Sequence, residues 1–430
     1  MAIEIGNRNV EYEQLVSYGR ENDSVWDKLC AFLLAVSPLL QHYRGFYENA
    51  GFSALLLIFP ILFFRFLAGR KDGCLSSRNL IAILPLVAFE IYTAVVHPTS
   101  AIRLMYIAFM ICIFVCIAGG CVNTVYFLKY ATTVVSLAAA LLVVQYISYY
   151  IFHYTLDLRP FGLLVDQDSI WIEHLATASA DKLYRPAAFF LEPSHLFLYS
   201  FPLLCIYLLS PNMTRWRRNK AVLITLAMLM STSGFSIVAC LGLWSLYFLI
   251  YKKGASDKHV DLKKVFSARN VFILLLLVIL LVLAYSFVPV FQRSVNRILT
   301  DTEGTNAIAG RIKSAQRYVS KITGSAVWFG TPNVTGTLDF NLAGFFATYI
   351  KWGTLGPLFS YWFYGRGLFR LKKKYFWMTA IILVISFFSA HTHGTFYMTY
   401  YIVFLMNGYY EKGVEPMLAT SGEAAPCYQH

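Results

Sequence analysis

The chain has 430 residues, 58% of them hydrophobic and 14% charged, with a mean hydropathy of +0.57, where soluble domains carry roughly 45–50% apolar and about 25% charged residues. That balance excludes an ordinary soluble core. The net charge of +13 does not argue for a nucleic-acid partner, because the Lys and Arg residues sit mostly in short connections between apolar runs and so report topology and anionic headgroups.

In chain order, residues 1–27 are polar and acid-containing, with no small-residue cleavage pattern after the first apolar run, so a retained cytoplasmic segment is expected rather than a signal peptide. From Leu29 onward, apolar runs of about 17 or more residues recur, each long enough to cross a hydrocarbon layer of about 30 Å. In lipid such runs must be helices, since the backbone has to satisfy its own polar groups. The sequence predicts an all-α polytopic membrane protein of about twelve spans, near 28–42, 51–68, 80–96, 101–118, 127–152, 193–209, 219–232, 234–250, 270–289, 342–363, 376–390 and 393–409. Residues 28–410 read as one transmembrane catalytic domain and 411–430 as a cytoplasmic tail.

Basic clusters follow the second, sixth, eighth and tenth spans: Arg65, Arg70, Lys71 and Arg78; Arg215, Arg217, Arg218 and Lys220; Lys252 to Arg269; Arg366 to Lys374. The bias of positive charge toward the cytoplasm makes these connections internal, which puts both termini inside and the remaining connections outside. Two outer connections are long, about 153–191 and 291–341. They carry too many aromatic and aliphatic residues, Trp171, Ile172, Tyr184, Val319 and Trp328 among them, for flexible tethers, and are expected to fold against the bundle. The eight cysteines lie mostly inside apolar runs without C-x-x-C or Cys/His ligand spacing, so neither a disulfide framework nor a metal site is expected.

Two passages could carry chemistry. In the first, Arg185 to His195, Pro186 keeps Arg185 extended and Pro193 suits the first turn of the next span. Arg185 and Glu192 therefore fall at the outer membrane boundary, where a snorkelling arginine and a carboxylate capping a helix would also account for them. In the second, Ala309 to Ile322 reads as an amphipathic helix with Ile312, Ala315, Val319 and Ile322 on one face and Lys313, Arg317 and Lys321 on the other. Arg311 falls on the apolar side, aimed at the bundle rather than at water. The connection holding it has six basic residues against three acidic ones. Arginine forks bind phosphate oxygens bidentately and stabilise charge on a departing diphosphate. Arg159 and His391 are further substrate-binding candidates, and His391 and His393, two apart, point in different directions on a helix and so argue against a shared metal ion. Phosphate-loop, zinc-protease, serine-hydrolase and dinucleotide motifs are absent from the sequence.

At these residues the chain resembles the Wzy-type O-antigen and capsule repeat-unit polymerases, within the superfamily that also holds the O-antigen ligases. Arg185 through Glu192-Pro-Ser-His195 is similar to that family's arginine, aromatic and E-P-S passage. Gly310-Arg311, Trp328-Phe329-Gly330, Asn341 and Trp352-Gly-Thr-Leu-Gly356 are similar to its later order of motifs, although Gly330-Thr-Pro stands where G-x-G is common. The resemblance covers roughly the central and C-terminal half. It implies a GT-C-like bundle and a glycosyltransferase of the inner membrane that uses no cofactor or metal. Donor and acceptor would be undecaprenyl-diphosphate-linked oligosaccharides, with membrane lipids around them and a chain-length regulator as an open further partner. By matched position, Arg185 and Arg311 would stabilise the diphosphate and Glu192 would orient Arg185 or assist deprotonation, with Arg317 and His195 second in rank. An O-antigen ligase, or a flippase or transporter for lipid-linked sugars, is the alternative. The absence of histidine from 291–341 favours the polymerase over the ligase, and the two long outer connections count against the transporter.

Overall fold

The computed structural model describes residues 25–46, 50–68, 121–163, 184, 186–209, 215–248, 318–320, 322–331, 344–365, 373–388 and 399–404, with scattered helical positions between 88 and 117 and between 272 and 315, and residue 397. The described residues are mostly helical, without a β-strand. The chain divides into two compact units, residues 1–133 with 398–430, and residues 134–397.

In the first unit, α1 (Val25–Leu40) and α2 (Ala50–Leu67) pack as a helical hairpin. Asp27, in the first turn of α1, pairs with Arg65, in the last turn of α2. A buried carboxylate demands such a partner. The side-chain oxygen of Asn123 accepts the N–H groups of Val125 and Tyr126 and so caps the next helix, α3 (Thr124–Phe152).

α3 has 29 residues and is largely apolar on its exposed face as well as on its buried one. Leu137, Val144, Ile147 and Ile151 are 43–65% exposed while Gln145 is buried. In α2, Leu57, Phe64 and Leu67 are likewise exposed while Ser53 is buried. Apolar side chains face outward at no cost when the surroundings are hydrocarbon, whereas polar ones must turn inward to find partners. α2 and α3 are long and apolar enough to cross a membrane, and shorter apolar helices occur at Pro193–Leu208, Gly234–Leu246 and Phe376–Phe387.

The second unit is organised around α4 (Pro193–Leu208), buried at every residue except Ser194. It packs against α5 (Arg215–Met230), α6 (Gly234–Leu246) and a later helix, Lys373–Phe388. A helix apolar all round belongs at the centre of a bundle. The expected spans at 28–42, 51–68, 127–152, 193–209, 219–232, 234–250 and 376–390 appear as helices with ends shifted by a few residues. Those at 80–96, 101–118, 270–289 and 393–409 lie mostly outside the described residues.

The expected span at 342–363 is instead two helices, α8 (Gly344–Trp352) and α9 (Leu355–Gly365), which follow the single turn α7 (Ala326–Phe329) and precede α10 (Lys373–Phe388). The break is at Gly353, with φ of +64°, where an added Cβ would lie 2.2 Å from the Trp328 carbonyl carbon. Only glycine adopts that φ without penalty and admits so close a backbone. The Thr354 N–H and hydroxyl both donate to the Val327 carbonyl at 2.8 Å, and the Thr331 N–H donates to Ile350 O at 2.8 Å. Ala315 and Ile350 form a small buried core with Tyr318, Ile322 and Phe346 packed on it, so the apolar face expected over 309–322 is realised at Ala315 and Ile322.

Candidate functional site

The candidate residues that the structure describes lie where the C-terminal end of α3 faces the start of α4. After Phe152 the backbone turns through His153 at φ of +52°, and Ala188 adopts the same φ before α4. Left-handed conformations at non-glycine residues are held only when their surroundings over-determine them. At His153 the flanking Tyr154 exchanges bonds with Ser148, and at Ala188 the holding group is Gln145. Its Nε2 donates to Leu156 O at 3.0 Å and its Oε1 accepts the Ala188 N–H at 2.9 Å, so one buried amide fastens both ends of the 153–191 connection. Tyr146 donates its hydroxyl to Met230 O at 2.6 Å, bringing the end of α5 to the C-terminal end of α3.

Arg159 lies inside this cluster. Its guanidinium grips the Asp157 carboxylate, with Nε to Oδ1 at 2.7 Å, and its Nη1 donates to Leu191 O at 2.9 Å. A planar fork on a carboxylate is the strongest geometry open to arginine. The backbone acceptor it also takes immediately precedes Glu192, so Arg159 and Glu192, expected separately as site residues, are brought together.

Glu192 occupies the position just before α4 with extended φ and ψ of −139° and 156°, and Pro193 follows in the first turn. Its carbonyl accepts the His195 N–H at 3.0 Å, but its side chain caps no backbone N–H. The carboxylate instead accepts the Ser194 hydroxyl at 2.7 Å. The carboxylate at this helix start therefore bonds a side chain and does not close the helix. His195 is buried, one turn into the bundle, and the Tyr397 hydroxyl donates to its carbonyl at 3.0 Å. Arg185, Arg311, Arg317 and His391 lie outside the described residues.

Sequence reading missed Asp157, Gln145 and a group of four tyrosines. Tyr184 stacks on Tyr149 with ring centroids 4.1 Å apart and meets Tyr146 edge-on at 6.0 Å. Its hydroxyl is buried without a hydrogen-bond partner among the described residues. Burial, and then Asp157 beside it, push the Tyr184 hydroxyl up to about 12, with Arg159 pulling the other way. A lone glutamine inside an apolar run is a signal that could have found Gln145. Among the described residues no group of three His, Cys, Asp or Glu side chains converges as for a metal ion.

No protein-family model matches the chain, and no curated protein matches it.

Proposed function

We propose that the chain polymerises undecaprenyl-diphosphate-linked oligosaccharide repeat units into O-antigen or capsular polysaccharide on the outer face of the inner membrane, as a multi-pass protein with both termini in the cytoplasm. The observation that carries the reading is the start of α4. The passage most similar to the polymerases leads into a helix buried almost throughout, with an uncapped Glu192 carboxylate and Arg159 bound to the preceding carbonyl. The exposed apolar faces of α2 and α3 support a membrane setting.

In this reading a hydroxyl of the acceptor sugar attacks the anomeric carbon of the donor. The new C–O bond forms as the bond to the diphosphate breaks, the hydroxyl proton goes to a base, and the diphosphate leaves with the negative charge. Arg185 and Arg311 stabilise that charge without a metal, because preorganised forks need no reorganisation as it develops. Glu192 orients Arg185 or takes the proton, and Arg159, Arg317, His195 and His391 hold the substrate. Deleting the gene and resolving the cell's surface polysaccharide on a gel tests the reading. Single repeat units on the acceptor are expected. Long lipid-linked chains that never reach the acceptor would identify a ligase, and units trapped facing the cytoplasm a flippase.

A further inference from the structure

The tyrosines at the outer end of α3 are more ordered than a membrane boundary requires. Tyr150 lies parallel to Tyr146, with centroids 5.9 Å apart and planes 3° apart, and meets Tyr149 edge-on at 5.0 Å. Tyr149 is in turn stacked on the buried Tyr184, and Tyr146 is pinned through its hydroxyl to Met230 O. Tyr150 is thus backed by fixed rings while 54% exposed. On the helical wheel it stands at the edge of the aliphatic stripe of Leu137, Val144, Ile147 and Ile151, displaced toward Tyr146 and Tyr149. Gln145, one turn before Tyr149, donates to Leu156 O, and Arg159 holds the Asp157 carboxylate at the next residue, so an open aromatic face and a partly open carboxylate lie at the same end of α3.

We propose that this cluster is a carbohydrate-stacking platform, with the open face of Tyr150 taking a pyranose ring and Asp157 accepting hydrogen bonds from its hydroxyls. The electron-rich face of an aromatic ring attracts the polarised C–H groups on the flat side of a sugar. A carboxylate is an acceptor-only group suited to hydroxyl donors, and Arg159 fixes its direction. The proposal rests on the polymerase reading, since it supplies a seat for one sugar of the lipid-linked chain beside Glu192.

The test uses the full chain in nanodiscs made from host lipids, titrated with oligosaccharide released from the host's own surface polysaccharide and read by tyrosine fluorescence. Tyr150→Leu, which keeps an apolar side chain at the boundary, is expected to weaken binding by about tenfold or more. Tyr150→Phe, which keeps the ring, should stay close to wild type. No binding by the wild type, or equal binding by Tyr150→Leu, overturns the platform. Normal polymer on the surface of the deletion strain overturns the reading beneath it, and the two results come from separate experiments.

Discussion

Between α3 and α4 the connection is fastened by side chains: Gln145 bonds Leu156 and Ala188, and Arg159 joins Asp157 to Leu191. Before α8 the fastening is main chain against main chain, with Trp328 lying on Gly353 and Thr331 and Thr354 bonding to Ile350 and Val327. The difference sets what each can tolerate. Side-chain anchors fail one bond at a time, whereas a backbone contact at 2.2 Å from a missing Cβ leaves room for one residue type only.

The largest expected effect is common to both connections. Arg185→Ala and Arg311→Ala should each abolish long polymer on a polysaccharide gel while immunoblots show normal protein in the membrane. Arg311→Lys should not restore polymer, because lysine lacks the planar fork. Polymer of normal length from either alanine variant would remove the assigned residue from the site. Next comes Gly353→Ala, which combines a φ of +64° with a backbone overlap. The left-handed conformation alone costs about 1–2 kcal/mol, so a clear fall in melting temperature and loss of the α7 contact are expected, and an unchanged melting curve would show that the break is not held there.

Gln145→Leu should be milder. It leaves the Ala188 N–H and Leu156 carbonyl unmatched at a cost of about 1–3 kcal/mol, and limited proteolysis should then cut between 153 and 191 before it cuts between 291 and 341; the reverse order would contradict the anchoring described for the two connections. Thr331→Val removes only a 3.3 Å hydroxyl contact and keeps the N–H bond to Ile350, so a shift of less than about 1 kcal/mol is expected. The smallest effect is Tyr184→Phe. The native pKa of this tyrosine is raised, so the stability it contributes is complete below about 10 and is lost as pH rises toward about 12. Replacing it removes a buried hydroxyl without a partner, so melting temperature at neutral pH should hold or rise slightly and the alkaline fall should flatten; an identical alkaline slope in both proteins would count against the burial described.

Helix positions were legible because a run of apolar residues is a local property and lipid reads little else. Gly353 was legible as part of a motif but not as a break, since Ile350, Trp352 and Leu355 around it still read as one apolar run despite Lys351 and Thr354. The reason for it lies at Trp328, far off in the chain. The Arg159 bond to Leu191 was invisible for a related reason: a backbone carbonyl is present at every residue and leaves no mark in sequence. Glu192 was legible through Pro193, which fixes the helix start, but that its carboxylate bonds Ser194 rather than the helix end is a matter of rotamer.

With 29 residues, α3 is about 43 Å long, against a hydrocarbon layer of about 30 Å. Upright, it would carry roughly nine residues clear of the acyl chains, about as many as separate Ala140 from Tyr149. A thicker bilayer would draw Gln145 and the tyrosines toward the acyl region, and a thinner one would lift them away. On the proposed reading, the reach of this tyrosine end is therefore a quantity the surrounding lipid sets, and reconstitution in phosphatidylcholines of increasing acyl length should reveal an optimum thickness for polymer synthesis.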